Sequence, residues 1–184
     1  MALESKKLIF SFDIESDGLY GEGFAVGVVI IDVETGRIVN EFSGVVDSYK
    51  VTDRFTKDNI VKYLREMPKY SNTHALREAF WKFYITYRTE AERQNREIIF
   101  LADNCAPVEA RFLRDCVMDD HKNRKFKAPF PLIDLATVLL LNGYENHLNR
   151  RAFSNCPGRK HHPLDDAAAS GLTFWKLVYG KKSN

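Results

Sequence analysis

Apolar and polar positions along the chain change their spacing several times, and each change marks an element. Residues 8–15 (LIFSFDIE), 24–32 (FAVGVVIID) and 37–46 (RIVNEFSGVV) are strand-length apolar runs, with turn signals between them at Asp17-Gly18 and Glu34-Thr35-Gly36. Successive strands joined in this way form an antiparallel meander. A polar connection with a short helix near 56–66 follows, and then a long helix over 73–94 with Leu76, Phe80, Phe83, Tyr84 and Tyr87 on one stripe. That stripe reads as core. IIFLA (98–102) predicts a parallel strand, and a helix follows over 107–119, with Pro107 suited to its first position. PLIDL begins another strand–helix unit, and an amphipathic helix over 164–179 closes the chain. Its stripe is Ala167, Leu172, Trp175 and either Val178 or Tyr179. No internal repeat, low-complexity segment or linker interrupts this order. The expectation is a single α/β domain over 1–184, with a mixed central sheet, meander first and parallel strands after, flanked by helices.

Composition narrows the setting. With 184 residues, 45% of them hydrophobic, the chain suits one full core. No apolar run approaches the roughly 18 residues of a membrane span, so no membrane partner is expected. The segment MALESKK lacks the layout of a signal peptide, because the apolar stretch LIFSF stops at Asp13. Cys105, Cys116 and Cys156 are odd in number and widely spaced, which argues against a disulfide framework and points to a reducing, cytoplasmic setting. Cys156 with His161 and His162 imitates a zinc cluster but lacks a fourth ligand at suitable spacing. Self-association as a homodimer is left open.

The chemistry begins at the end of the first strand. Side chains at i and i+2 share a face, so Asp13 and Glu15 project together while Phe10, Phe12 and Ile14 face the other way. Two like charges so close are unfavourable without a cation between them, and hard divalent ions such as Mg²⁺ or Mn²⁺ are suitable guests. Near the other end, HHPLDDA (161–167) sets His161 in the loop before the last helix and Asp166 in its first turn. A neutral imidazole is a suitable general base near pH 7, and Asp166 completes a metal cage. Asp165 and Asp166 also suit a helix N-terminus for its dipole alone.

FDIESDG followed by AVGVVIID resembles the first motif of the DEDDh 3′–5′ exonuclease superfamily, and HHPLDDA resembles its third, H-x(4)-D. That group includes RNase T, oligoribonuclease and polymerase proofreading subunits. PLIDLATVLLL also resembles the family segment ahead of the third motif, where an Asp opens a helix, which implies Asp134 as an N-cap. The resemblance implies a ribonuclease H-like fold over essentially the whole chain and a two-metal active site. The middle motif departs from the pattern. Within IIFLADNCAPVEARFL, Asn104 matches the family's strand-end Asn, but Val108 stands where the family has Asp. Counting back from Phe112-Leu113 puts Glu109 in the acidic slot instead, while Asp103 at the strand tip is a rival. Either Asp103 or Glu109 is the fourth carboxylate, with Asp17 next in line.

Net charge is only +2, yet Arg150, Arg151, Arg159 and Lys160 crowd the approach to His161, and a second basic group occupies 121–127. Beside a carboxylate metal site, such loops guide a phosphate backbone. The resemblance places Leu19 as the wedge against a terminal base, with Tyr20 or Phe24 as stacking candidates; Phe24 reads rather as core. The resulting expectation is a metal-dependent 3′–5′ exonuclease on single-stranded DNA or RNA ends that releases nucleoside 5′-monophosphates. Asp13 bridges two ions, Mg²⁺ or Mn²⁺; Glu15 and Asp166 hold the first, and Asp103 or Glu109 supports the second. His161 takes the proton from the attacking water, and Leu19, Asn104, Arg159 and Lys160 meet the substrate. The competing readings are a catalytically weak nucleic-acid-binding module of the same fold and a small-molecule phosphodiesterase.

Overall fold

The computed structural model describes residues 6–180. The first five residues, part of the segment read as lacking a leader, lie outside that range. A six-stranded mixed sheet runs in the order β4-β3-β2-β1-β5-β6. Its strands are β1 (Lys7–Ser16), β2 (Gly23–Asp32), β3 (Ile38–Val46), β4 (Lys69–Tyr70), β5 (Glu97–Ala102) and β6 (Leu132–Asp134). β1, β2 and β3 pair antiparallel as the meander expected, and β5 joins β1 in parallel, with β6 parallel beyond it. The helices are α1 (Arg54–Asn59), α2 (Thr73–Arg93), α3 (Val108–Asp119), α4 (His121–Arg124), α5 (Leu135–Leu141), α6 (Arg150–Ser154) and α7 (Pro163–Val178). No helix among the described residues is long and apolar enough to cross a membrane.

Strand alternation divides the core into two layers. Leu8, Phe10, Phe12 and Ile14 of β1 join Leu76, Phe80 and Tyr84 of α2 and Phe112 of α3 on one face. Phe10 meets Phe80, Tyr84 and Phe100 edge-on, with ring centroids 5.8–6.1 Å apart. The α2 stripe is therefore core, as its spacing indicated. On the other face, Ile9, Val29, Ile31 and Leu101 pack against Leu135 and Leu139 of α5 and Ala167, Ala168 and Phe174 of α7. β2 is buried almost throughout, which is why it reads as a continuous apolar run rather than an alternation.

α7 approaches the sheet unusually closely, and this controls the site. A Cβ on Gly27 would fall 2.1 Å from Leu164 N and 2.2 Å from Pro163 C. Small residues continue along the contact from Ala167 to Gly171, and Ser11 Oγ donates to Ala167 O at 2.8 Å. Gly27 is the β2 partner of Asp13. The first turn of α7 is thereby seated directly beside the acidic end of β1.

Several local expectations shift. The helix near 56–66 divides into α1 and a 3-10 turn over Val61–Tyr63, because Asp53 caps earlier, accepting from Thr56 N at 2.7 Å. Pro107 stands at the N-cap of α3, one residue ahead of the position assigned to it. The basic stretch after residue 149 is partly helical: Asn149 Oδ1 accepts from Arg151 N and Ala152 N and starts α6. At the end of α7, Tyr179 packs against the core and Val178 is exposed.

Candidate active site

Asp13 and Glu15 emerge from the end of β1 on the face that α7 covers, and Asp166 descends from the first turn of α7. Carboxylate oxygens of the three lie within 4.8 Å of one another. Asp13 is pushed well above the usual carboxylate range, first by burial and then by Glu15, Glu109, Asp166 and Asp103 around it. Glu15 is raised to about 8 by burial, then by Asp166 and Glu109. Burial also raises Asp166, against the opposing pull of Arg151, whose Nη2 donates to its Oδ1.

The HHPLDD segment separates into two functions. His161 and Asp166 face the same cavity of about 680 Å³ as Asp13 and Glu15. Asp165 turns away, its Oδ2 accepting from Arg159 N at 2.8 Å, and buried His162 lies behind it with Nδ1 3.6 Å from the same oxygen. Asp165 and His162 brace the loop. His161 adopts a left-handed backbone, φ 62°, which His tolerates better than bulkier residues. Its imidazole is lowered from its ordinary value, first by burial and then by Lys160, Arg151 and Lys62.

The two rivals for the middle motif occupy different environments. Glu109 is buried in the first turn of α3, and its Oε1 accepts from Ile14 N at 3.3 Å, between the two β1 carboxylates in sequence. Burial raises it to about 7. Asp103 lines the cavity but is gripped by Arg150, with Nε on Oδ2 at 2.8 Å and Nη2 on Oδ1 at 2.9 Å. Asp17 is turned outward, accepting from Thr52 N at 2.9 Å and Asp53 N at 2.7 Å. It fixes the loop ahead of α1.

Of the residues read as meeting substrate, Asn104 and Lys160 line the cavity, along with Arg150 and Arg151. Asn104 has φ 54°, a turn geometry Asn favours. Arg159 instead faces Glu66 and Asp165, at 3.5 and 3.3 Å. Leu19, 65% exposed, borders an adjoining depression of about 440 Å³ that shares Glu15 and His161 with the first. Phe24 is buried and stacks on Tyr49, centroids 4.7 Å apart. The sequence reading missed Phe55 of α1. It is 59% exposed in the wall of the second depression, edge-on to His161 at 6.0 Å. The available signal was an aromatic two residues after the Asp53 cap.

The donors suit a hard divalent ion: three carboxylates converge, Asp13 and Glu15 form no salt bridge among the described residues, and Asp166 is engaged by Arg151 through one oxygen. Among the described residues a second convergent group is His74, Glu78 and Asp119, both of whose carboxylates are paired with arginines, Arg124 and Arg77. Cys156, His161 and His162 do not form such a group among the described residues.

No protein-family model matches the chain, and no curated protein matches it in sequence. Solved structures do match in fold. Escherichia coli ExoI, in a zinc-bound complex with single-stranded DNA, superposes with TM-score 0.59 at 13% identity, over 97% of this chain and 41% of that one. A full-length 3′-exonuclease gives 0.51 at 13% identity, over 97% of this chain and 62% of that one. A 3′-exonuclease from a structure of histone mRNA stem-loop recognition gives 0.51 at 13%, over 96% and 65% respectively. The chain thus spans about two-fifths of the first protein and less than two-thirds of the others. At this identity the likeness is one of fold: the chain has the α/β, ribonuclease H-like architecture of these 3′-exonucleases.

Proposed function

We propose that the chain is a DEDDh-type 3′–5′ exonuclease that hydrolyses the terminal phosphodiester of single-stranded DNA or RNA and releases nucleoside 5′-monophosphates. The convergence of Asp13, Glu15 and Asp166, drawn from opposite ends of the chain, onto a cavity shared with His161 carries this reading.

The donor set fits divalent ions, Mg²⁺ or Mn²⁺, which Asp13, Glu15 and Asp166 would hold with support from Glu109. Such ions supply Lewis-acid stabilisation of the oxygens entering and leaving phosphorus. The chain's own groups do the rest. His161, kept neutral by burial and by neighbouring cations, accepts the proton of the attacking water. That water's oxygen bonds to phosphorus, the bond from phosphorus to the 3′ oxygen of the preceding nucleotide breaks, and this oxygen takes a proton from solvent. Lys160, in the cavity wall, sets positive charge beside the reacting phosphate. Arg151 and Arg150 are already paired with Asp166 and Asp103. The depression between Leu19, Phe55 and Val108 receives the terminal base, and stacking of about 1–3 kcal/mol per base holds it without reading sequence.

The test is a gel assay of end-labelled single-stranded DNA and RNA with Mn²⁺ or Mg²⁺, with and without chelator. Shortening that requires the ion and vanishes in Asp13→Ala supports the reading. Full activity in chelator overturns it.

A further inference from the structure

The basic segment 121–127 and the aromatics beside it remain outside the catalytic cavity, and they build a second surface. Phe126 and Phe130 are 84% and 85% exposed. They rim a groove of about 370 Å³ whose wall includes Tyr84, Arg88 and Arg96. Two exposed phenylalanines four residues apart are costly on a surface that does nothing with them. The segment that presents them is fastened down. Tyr84 OH and Arg88 Nη1 both donate to Lys127 O, the latter at 2.6 Å, while Arg124 is buried over Trp81 and paired with Glu78. The rings are thus held outward by a fixed backbone.

Charge identifies the occupant. The acids of this surface are matched: Glu92 by Arg88, Asp32 by Arg96 and Glu97 by Lys7, while Asp120 accepts from the Asn123 amide. Lys122, Lys125 and Lys127 are exposed and form no salt bridge among the described residues. The Lys125 ammonium lies 4.9 Å from the centre of the Phe126 ring. Arg96 carries a buried Nε without a protein partner in the groove wall. Flat rings interleaved with unmatched lysines match the two features of a single strand, base faces and phosphates. An acidic peptide would satisfy the lysines and leave the rings without planar partners.

We propose that this groove is a second binding site for single-stranded nucleic acid, a holdfast for the strand away from the catalytic cavity. The groove reaches Ile98 and Phe100 on the α2 face of β5, whereas Asp103 lies just past the end of that strand. Three residues of strand, roughly 10 Å at about 3.3 Å per residue, separate the nearest of them, and the sheet itself stands between the groove and the carboxylates on the face α7 covers. A dinucleotide, which contains one scissile bond, cannot occupy both places; a long strand can. The holdfast rests on the nuclease reading only for its biological use, because binding in chelator is independent of hydrolysis.

The experiment compares wild type with Phe126→Ser/Phe130→Ser and with Lys122→Glu/Lys125→Glu/Lys127→Glu. Fluorescence anisotropy in EDTA measures affinity for an oligonucleotide tens of residues long, and hydrolysis of a dinucleotide is followed in Mn²⁺. Loss of two stacking contacts is expected to weaken the long strand about 10-fold or more, and the lysine variant is expected to flatten its salt dependence. Dinucleotide kcat/KM is expected to be unchanged in both. Unaltered affinity for the long strand overturns the proposal, as does an equal loss on the dinucleotide. A wild-type dimer that the serine variant converts to monomer at unchanged affinity also overturns it, since the rings would then cover a second copy. Failure of wild type to cleave the dinucleotide counts against the nuclease reading alone and leaves the binding comparison standing.

Discussion

Arg150 and Asp103 form a two-pronged pair at the rim of the carboxylate cluster, with Nε–Oδ2 and Nη2–Oδ1 separations of 2.8 and 2.9 Å. The remaining donors of the guanidinium go to the carbonyls of Asn146 and Leu148 and to the Asn146 amide oxygen. Asp103 is therefore occupied on both oxygens. Glu109, six residues further along the chain, accepts the Ile14 backbone N–H on one oxygen only. This contrast separates two residues that the sequence left level.

Asp103→Asn is expected to lower thermal stability, because it loosens a largely buried charge-assisted pair, about 1–3 kcal/mol. The number of Mn²⁺ binding events should stay the same. Glu109→Gln is expected to keep the melting temperature and to weaken the second Mn²⁺ event together with kcat. Calorimetric titration and melting curves of both variants make the comparison. The reverse pattern would place Asp103 at the ion and Glu109 in support.

Proton linkage gives the site a characteristic pH response. Glu15 and Glu109 are raised to about 8 and about 7 in the fold, from an ordinary value of 4.5. Between those limits the folded state holds protons that the unfolded chain has released, so stability falls as pH rises. Their contribution is complete below the ordinary value and is lost through the folded values. In chelator, melting temperature should drop from mildly acidic to mildly alkaline buffer. Divalent ions compete with those protons, so Mn²⁺ should raise the melting temperature more at the alkaline end. A metal-free melting temperature that climbs across the same range would contradict the charge crowding.

Much of this architecture was legible because α2 carries a long helical stripe and β1 and β2 are strand-length apolar runs bounded by turn signals, all of which tertiary packing reinforces. The end motifs were legible for a related reason: Asp13-x-Glu15 and His161-x(4)-Asp166 have spacings imposed by a strand and by a loop–helix junction. What escaped the sequence depends on contacts distant along the chain. The pairings of Arg150 with Asp103 and Arg151 with Asp166 require α6, whose Asn149 cap was hidden among basic residues. Those arginines look like free phosphate ligands until their carboxylate partners are known. Phe55 likewise acquires meaning only beside His161.

The adjacent histidines should separate cleanly. His161→Ala is expected to lower kcat by roughly 10²–10⁴-fold, the scale of a general base, with metal binding and melting temperature nearly unchanged. Wild-type activity should persist to somewhat lower pH than an unperturbed imidazole allows, since burial and nearby cations lower this one. His162→Ala should instead reduce stability, because that ring is buried behind Asp165. An essential His162 with a dispensable His161 would mean that the register of the motif is misassigned.

Gly27 tests whether backbone approach assembles the site. An alanine methyl there would sit 2.1 Å from Leu164 N, which belongs to the backbone of α7 and cannot rotate aside. Gly27→Ala is expected to cost stability and to weaken Mn²⁺ binding as well, because a displaced α7 carries Asp166 away from Asp13. Loss of stability with undiminished Mn²⁺ affinity would show that Asp166 is held independently of this contact.

The two adjoining depressions predict how the strand is entered. Glu15 and His161 border both, so a terminal base lodged between Leu19 and Phe55 brings its own phosphodiester to the carboxylates. A free, unpaired 3′ end satisfies this arrangement, whereas an internal linkage would leave the apolar depression to a base that is still tethered on both sides. A 5′-labelled single strand should therefore shorten as a ladder, and a circular strand should resist. Leu19→Ala and Phe55→Ala should each raise KM, with a smaller effect on kcat, by removing contacts made equally in ground and transition states. Together they should relax end selection without abolishing metal binding, which calorimetry with Mn²⁺ reads separately. Efficient cutting of the circle by wild type would show that the apolar depression does not select an end, and would remove the exonuclease assignment while leaving the carboxylate site in place.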